Sequence, residues 1–321
     1  MGAKVVDLLR TTVNPSHVTV HQFDGFIFLC GGALNRDGEP FASARGYTVS
    51  RVGESRAIAG RRVLLAETLT TLLQGDDYQD LLDFEKHVAA LCACVLIFVE
   101  SPGSIAELGS FSVMPDLASK LLVVCEQRFE SAPPSFIFLG PIASLRRRRS
   151  SSVQVFPIYD AASATPTVST EFLDDCWEYI EEAVADSLQR VVSESTLLVD
   201  DLSHQMVLVA SLVDLMVASK LGEIEEGLNI FGIDLKDRPL RKILRVLEQF
   251  GFIVAIHYGN ELFYHSKLEH SLVTFRPTDS SNVKVFDRIR FKAEILERYS
   301  EGDPRRFKAI KAFRRASANA N

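Results

Sequence analysis

Two acidic residues, Glu100 and Glu107, flank a short loop of small residues between a strand-like run and a helix-like run. The apolar run Val95 to Val99 predicts a fully buried strand. The loop Ser101-Pro102-Gly103-Ser104 suits a tight turn before a helix. Free backbone N–H groups at such a helix start can receive a phosphate or a sugar. Because open α/β sheets bind ligands at the carboxyl ends of their strands, we expect the functional site here.

Two carboxylates at one site are suited to breaking a glycosidic bond, whose transition state resembles an oxocarbenium ion. One carboxylate can attack or stabilise the anomeric carbon, while the second orients the sugar or handles the proton. Glu107, in the first turn of the predicted helix, is the better nucleophile, and Glu100 is better placed to hold a ribose hydroxyl. A third acid from the preceding helix can join them. Asp83 and Glu85 compete for that role, and we favour Glu85.

Small and polar residues around these acids are candidates for substrate binding. The run Phe26 to Cys30 predicts another buried strand, and the glycine pair after it permits a sharp turn and a close ligand approach. The expected substrate-binding residues are Cys30, Gly31, Gly32, Glu85, Ser101, Gly103 and Ser104. Structural explanations stay open for several of them: Glu107 as a carboxylate favoured by the helix dipole, Glu100 as a cap, Glu85 as a salt-bridged residue and the glycine pair as a simple turn.

Alternating helices and apolar strands predict an α/β fold for residues 1–165, a Rossmann-like parallel sheet with helices on both faces. The predicted strands are 26–30, 95–99, 121–125, 136–139 and 153–158. The predicted helices are 61–74, 78–92 and 104–114. Residues 33–60 are interpreted as a long active-site loop. A linker helix is expected within 166–195.

Residues 196–321 predict a second domain of α+β type. Three helices are expected at 203–219, 223–231 and 235–250, followed by a hairpin that turns at Gly259-Asn260. This order is typical of a winged helix-turn-helix domain. A further helix, 284–298, leads into a basic tail.

The net charge is −7, from 35 basic and 42 acidic residues, but basic residues are concentrated in a few segments. These are the run 146–149, one side of the helix 235–250, and the tail. Such asymmetry indicates an anionic partner such as nucleic acid. The candidate nucleic-acid-binding residues are Arg147, Arg148, Arg238, Arg241, Lys242 and Arg245. A solvated loop for the arginine run and ordinary solvent-facing helix positions are the alternatives.

The overall composition is that of an ordinary globular protein, and 321 residues are enough for two domains. The start of the chain lacks the features of a signal peptide, and no apolar run reaches the roughly 18 residues that span a bilayer. We therefore expect a cytoplasmic protein with no membrane partner. The five cysteines are expected to be buried apolar residues. The seven histidines form no motif with metal-ligand spacing, so we expect no metal and no cofactor.

Residues 23–160 resemble the nucleoside 2-deoxyribosyltransferase family. The similarity rests on a strand followed by Gly-Gly, an acidic helix, and then an apolar strand, an acid, a small-residue loop and Glu-Leu-Gly. In that family the glutamate before Leu-Gly is the nucleophile at the sugar C1′, so the resemblance implies this role for Glu107. Glu100 takes the place of an aspartate that positions the nucleophile and the sugar, and its longer side chain is a departure.

The layout of nearly the whole chain is similar to retron effector proteins. The motifs that carry the similarity are FIFLCGG at 26–32, LLDFE at 81–85, FVESPGSIAELGSF at 98–111 and SFIFLGPI at 135–142. The second half matches by layout more than by residues. The resemblance implies a toxic N-glycosidase of anti-phage defence, with NAD or a related nucleotide as the substrate.

The same resemblance implies that a reverse transcriptase and its branched RNA-linked DNA hold the enzyme inactive, in a higher-order assembly with the retron complex. Two other functions remain open. One is a nucleotide-sensing winged-helix transcription regulator, and the other is a deoxyribosyltransferase of nucleotide salvage.

Overall fold

A computed structural model describes residues 5–21, 26–34, 41–58, 60–67, 78, 80–130, 135–160, 168–190, 194–278 and 285–318. The described strands are β1 (Val13–His21), β2 (Phe26–Cys30), β3 (Arg62–Leu65), β4 (Cys94–Phe98), β5 (Leu121–Glu126), β6 (Val153–Phe156), β7 (Glu194–Thr196), β8 (Ile253–Tyr258), β9 (Glu261–Ser266) and β10 (Val273–Pro277).

The described helices are α1 (Val5–Thr12), α2 (Ala44–Arg51), α3 (Leu81–Leu91), α4 (Pro102–Ser112), α5 (Pro115–Ala118), α6 (Gln127–Glu130), α7 (Ala143–Arg148), α8 (Thr170–Gln189), α9 (Leu202–Leu215), α10 (Leu221–Ile230), α11 (Asp237–Gln249), α12 (Arg288–Gly302) and α13 (Pro304–Ala318). A π-helical turn, Phe138–Ile142, precedes α7, and a 3₁₀ turn, Ser150–Ser152, precedes β6.

The chain divides into two compact units, Phe23–Val192 and the combination of Met1–Gln22 with Ser193–Asn321. This grouping differs from the predicted boundaries at 165 and 195. The strand β1 pairs with β10 and β7, so the start of the chain joins the C-terminal unit. The predicted linker helix is α8, which contributes Leu173, Ile180 and Val184 to the core of the first unit. Because this amphipathic helix buries its apolar face against the first unit, it stabilises that unit and is part of its core.

The first unit is built on a five-stranded parallel sheet with the order β3-β2-β4-β5-β6. The strands β2, β4 and β5 are buried along their whole length, which is why they appear in the sequence as continuous apolar runs. The chain moves outward from β2 to β3 and then returns to β4 on the other side. The carboxyl ends of β2 and β4 therefore form a topological switch point, where doubly wound sheets bind their ligands.

Helices cover both faces of this sheet. On one face Ile27, Leu29 and Leu96 pack with residues of α2 and α8 in a single core cluster. On the other face the ring of Phe28 lies 6.5 Å from that of Phe111 in α4. Because alternate residues of a strand face opposite sides, Cys30 shares the face of Phe28. The last residue of β2 thus points towards the side covered by α3 and α4.

Three predicted elements of the first unit are wrong. Residues 33–60 are not a continuous loop, because they contain α2, whose N-cap Ser43 accepts a hydrogen bond from the N–H of Gly46. Residues 62–65 form the edge strand β3, not the start of a helix, and residues 68–74 lie outside the described part. Residues 136–139 are helical, not a strand. A short apolar run is compatible with a helix and with a strand. Pairing with a neighbouring strand, which the run itself does not show, decides which of the two forms.

The second unit contains an antiparallel sheet, β10-β1-β7, together with the predicted succession of helices and hairpin. The helices α9, α10 and α11 are followed by β8 and β9, which turn at Gly259 with a φ of +61°. This order of elements confirms the α+β prediction, while the winged-helix assignment stays a prediction. The strand β1 was not predicted, although its buried Val18 and Val20 alternate as a half-buried strand requires.

Two expectations from composition can be compared with the structure. All five cysteines are free and buried, as predicted. Among the helices of the described residues, none combines the length and the apolar character needed to cross a bilayer.

The place of α8 in the core can be tested by substitution. Ile180 is 2% exposed, so Ile180→Ala should lower the free energy of unfolding by about 3 kcal/mol through lost burial and the cavity left behind. Urea unfolding of the full chain, followed by circular dichroism, measures this loss. The exposed Glu178 of the same helix is the control, and Glu178→Ala should stay within about 0.5 kcal/mol of wild type. Equal, small effects of both substitutions would contradict the placement.

Candidate active site

The carboxylate of Glu100 joins three segments at the switch point. Its Oε1 accepts the backbone N–H groups of Gly32 at 2.9 Å and Arg45 at 3.0 Å, and its Oε2 accepts that of Ala44 at 2.9 Å. Burial raises the pKa of the Tyr159 hydroxyl, and the charge of Glu100 adds to this rise. A carboxylate at a helix N-terminus is favoured by the dipole and by charge-assisted hydrogen bonds. These contacts support a positioning role for Glu100, while its predicted contact with a ribose hydroxyl stays a prediction.

The glycine pair is required by close packing around Glu100. A Cβ atom on Gly31 would lie 2.7 Å from the Cβ of Arg45 and 2.8 Å from Oε1 of Glu100. A Cβ atom on Gly32 would lie 2.9 Å from the Cβ of Ser43. The sequence predicts that these glycines let a ligand approach. In the structure the groups that approach them belong to the chain itself.

Ser101 and Ser104 form a reciprocal cap at the start of α4. The Oγ of Ser101 accepts the N–H of Ser104 at 3.1 Å, and the Oγ of Ser104 accepts the N–H of Ser101 at 3.1 Å. The Ser101 hydroxyl also donates to the carbonyl of Gly31 at 3.0 Å. Gly103 between them is exposed. Both hydroxyls thus hold the helix start in place, and their predicted substrate contacts stay predictions.

The buried Cys30 and Glu85 and the half-buried Glu107 form a cluster on the sheet face covered by α3 and α4. The electrostatic interaction between Cys30 and Glu107 adds to burial in raising the pKa of the Cys30 thiol, and it lowers that of the Glu107 carboxyl. Burial raises the pKa of Glu85 to about 7, and the charge of Glu107 contributes to the shift. Burial also raises the pKa of Glu107, but the Cys30 thiol and the cation of Arg45 oppose that rise. Glu107 thus has neighbours that favour its anion, whereas burial and the charge of Glu107 both favour the protonated form of Glu85.

One oxygen of Glu107 has no hydrogen-bond donor in the described part of the chain. Its Oε2 is buried and unpartnered there, whereas the carboxylate oxygens of Glu100 are both occupied. A buried acceptor without a donor costs about 1–3 kcal/mol, so it calls for a functional explanation. An oxygen held ready for a substrate atom is such an explanation.

Arg45 is the main residue of this site that the sequence does not reveal. It belongs to α2, is 2% exposed, and its guanidinium forms an ion pair with Glu67, two residues beyond β3. Its Nε has no partner among the described residues. Because residues 33–60 are interpreted as a loop from their sequence, the burial of Arg45 is not predicted. Ser43, a preferred N-cap residue, could have indicated that a helix begins there.

The predicted nucleic-acid-binding residues of the first unit lie on α7. Arg147 and Arg148 are exposed. The two other arginines of the run have internal partners, since Arg146 pairs with Glu130 at 2.7 Å and Arg149 donates to the carbonyl of Leu121 at 2.6 Å. The run is therefore helical for most of its length, and two of its four cations face solvent.

The predicted nucleic-acid-binding residues of the second unit lie on α11. Arg238 is exposed, and Lys242 is partly buried. Arg241 pairs with Asp237 at 2.7 Å, and Arg245 lies 3.8 Å from Glu248. Exposed ion pairs of this kind contribute about 0–1 kcal/mol, so a phosphate could compete for these arginines.

The fold and the site define a doubly wound α/β unit with a buried glutamate cluster at its switch point, joined to an α+β unit. The chain belongs to the STM3845 retron effector protein family, whose model matches residues 42–255. This confirms the resemblance to retron effectors drawn from the sequence motifs.

Two Escherichia coli proteins are similar to parts of the chain. The "Retron Ec86 putative ribosyltransferase/DNA-binding protein" is 40% identical over 82 residues, 26% of each chain. The "Retron Ec73 putative ribosyltransferase/DNA-binding protein" is 34% identical over 130 residues, 40% of each chain. The matched regions therefore span well under half the length of either relative.

The raised pKa of Glu85 predicts a pH-dependent stability. Its pKa is about 7 when folded, against an ordinary value of 4.5. The stability linked to its protonation is thus fully present below pH 4.5 and is lost as the pH rises through 7. Relative to Glu85→Gln, which cannot ionise, wild type should lose on the order of 2 kcal/mol between pH 5 and pH 8. Urea unfolding of both proteins at the two pH values measures this difference.

Asp83, on the same helix, supplies the matched control. It is only partly buried, so Asp83→Asn removes the same charge from a more accessible position. The pH dependence of wild type should persist in this variant. Equal pH dependence in wild type and Glu85→Gln would show that Glu85 is not the titrating group.

Proposed function

We propose that the protein is an N-glycosidase effector of a retron anti-phage defence system, which cleaves the base–sugar bond of NAD or a related nucleotide. The observation that carries the proposal is the pair Glu107 and Glu85: burial raises the pKa of both, but a thiol and a cation favour the anion of Glu107, and no such neighbour among the described residues acts on Glu85. Membership of a retron effector family supports the defence role. The ribosyltransferase in the relatives' names supports chemistry at a glycosidic bond.

In the first step, a carboxylate oxygen of Glu107 attacks C1′ of the sugar as the bond between C1′ and the base nitrogen breaks. The electron pair of that bond leaves with the base, and a covalent glycosyl ester forms on Glu107. Glu85 gives its proton to a base that would otherwise leave as an anion.

In the second step, a water oxygen attacks C1′, the ester bond breaks, and Glu107 regains its charge. When Glu85 has protonated the leaving base, the proton of the water returns to it; when the base is nicotinamide, Glu85 has kept its proton and the proton of the water passes to solvent. The relatives' names favour a second candidate, ribosyl transfer, in which another nucleophile replaces water. The two reactions share the first step and differ only in the acceptor.

The role of Glu107 is tested by Glu107→Gln, which keeps the shape of the side chain and removes the nucleophile. Purified full-length protein is incubated with NAD and a panel of nucleosides and nucleotides, and mass spectrometry detects the free bases. Base release should fall by about 10³-fold or more. Glu178→Gln, an exposed substitution on α8, should match wild type. An unchanged rate in Glu107→Gln would remove this residue from the mechanism, and exchange of one base for another would favour transfer.

The proton on Glu85 distinguishes two substrate classes. A purine base leaves best when it is protonated, whereas the positively charged nicotinamide ring of NAD leaves neutral without a proton. Glu85→Gln should therefore slow the release of a purine by about 10²-fold or more and affect nicotinamide release much less. Rates for both bases are measured in the same assay. An equal loss for both would indicate that Glu85 shapes the pocket and does not act as the acid.

Arg45 is proposed as a positioning residue that keeps Glu107 ionised. Its cation lowers the pKa of Glu107, so Arg45→Gln should move the acidic limb of the pH profile of kcat/KM to higher pH. Arg45→Lys retains the charge and should leave that limb closer to its wild-type position. A uniform loss of rate at all pH values, without a shift of the limb, would indicate a purely structural role.

The second unit is proposed as the nucleic-acid-binding part of the protein. Its order of three helices and a hairpin supports a winged-helix domain, and DNA binding appears in the relatives' names. We propose that a reverse transcriptase and its branched RNA-linked DNA bind there and hold the enzyme inactive. Base release that falls when these partners are added to the purified protein would support this regulation.

A further inference from the structure

The helix α13 carries a single-sign row of charges. Residues 304–318 contain six basic residues and no acid. Five of them are exposed and form what we call the α13 cationic face, namely Arg305, Lys308, Lys311, Arg314 and Arg315. Within the described residues, none of the five forms an ion pair with an acid. Like charges in such a row repel one another, so their presence is not explained by the stability of the fold.

The opposite side of α13 is anchored to the second unit. Ala309 and Ile310 are buried, and the ring of Phe313 stacks on His265 of β9 at 4.5 Å. The sixth cation, Arg306, is buried and binds Glu223 at 2.9 Å and the hydroxyl of Tyr299 at 2.8 Å. The helix is therefore fixed in orientation, and the cationic face is its solvent side.

The helix α11 is a weaker candidate for binding phosphates. It carries four basic residues but also Asp237 and Glu248, and both acids lie near its arginines. Binding a phosphate there must first replace these ion pairs. In the α13 cationic face no cation has to leave an ion pair within the described residues, although Glu297 lines a groove together with Lys311 and Arg314, and this favours the face over the helix that the sequence alone points to.

We infer that the α13 cationic face is a docking surface for the phosphate backbone of nucleic acid, bound without regard to sequence. From Arg305 to Arg315 the helix rises about 15 Å, and DNA carries a charge for about every 1.7 Å of its axis. The row can therefore meet several phosphates at once. The inference rests on the proposed function only for the source of that nucleic acid.

Two other classes of partner fit this face less well. A helix that binds a membrane surface needs its apolar side free, and the apolar side of α13 is buried. A protein interface is usually anchored by large apolar or aromatic residues. None of the large apolar side chains that are well exposed in the described residues belongs to α13. A phosphate backbone requires only the cations themselves.

The substitutions that test this face should lie away from the groove between α12 and α13. That groove, of about 540 Å³, is lined by Lys311, Arg314 and the acid Glu297, so a substitution there also changes the surroundings of an acid. Lys308 and Arg315 lie seven residues apart, two turns along one side of the helix, and do not line that groove. Lys308→Glu combined with Arg315→Glu is therefore the α13 variant.

The test is fluorescence anisotropy of the full chain with a labelled 30-base-pair duplex of random sequence and with one of its single strands, in 50–300 mM NaCl. The α13 variant should bind at least tenfold more weakly at 100 mM NaCl. The slope of log affinity against log salt concentration should decrease in magnitude by about 2 on the duplex, because two phosphate contacts are lost. Melting curves by circular dichroism check that the variant is folded.

The matched control is Arg238→Glu with Arg241→Glu on α11, which makes the same change of charge. Its loss of affinity should be smaller than that of the α13 variant. An equal or larger loss would overturn the inference, as would wild-type protein that binds neither probe. Vesicles with 30% phosphatidylserine are the third probe, and binding to them in place of nucleic acid would also overturn it. None of these measurements involves base release, so this inference and the glycosidase proposal can fail separately.

Discussion

The candidate site depends on one partly buried interaction, the carboxylate of Glu100 with the backbone N–H groups of Gly32, Ala44 and Arg45. It connects the end of β4 to the turn after β2 and to the start of α2. Side-chain atoms of Glu100 and Arg45 occupy the space beside Gly31 where a Cβ atom would otherwise lie. If Glu100 were absent, these three backbone N–H groups would be free to bind an anion from solution. The chain therefore supplies its own anion at this helix start.

This arrangement brings Arg45 into the interior near a cluster of carboxylates, and the low dielectric there determines their chemistry. Burial raises the pKa of both Glu85 and Glu107. The difference between the two comes from their neighbours, because Cys30 and Arg45 stabilise the anion of Glu107. Two residues of the same type thus differ in how readily they ionise. The tertiary neighbours, not the residue type, make this difference, on which the proposed roles of nucleophile and acid depend.

The second unit places its charges according to a different constraint. Buried ions there are paired, as in Asp214 with Arg288 and Lys292, because an unpaired buried charge is costly. Exposed cations of α13 are left without acidic neighbours on their helix. Within this unit the paired interior charges serve folding, whereas the unpaired surface row is the part proposed to serve binding. It also makes the acidic net charge of the whole chain a poor guide to its partners.

The sequence by itself determined the buried strands β2, β4 and β5, the place of Glu107 on the helix after β4, and the order of α9 to α11 before the hairpin; Glu107 lies in the second turn of its helix and not in the first, because the helix begins at Pro102. These features follow from local periodicity and turn residues, which a single sequence carries. Only the tertiary structure decided the partners of Glu100, the burial of Arg45 and the edge strand β3. Only it paired β1 with β10, more than 250 residues away along the chain. Strand pairing and burial depend on residues distant in sequence, so local patterns cannot specify them.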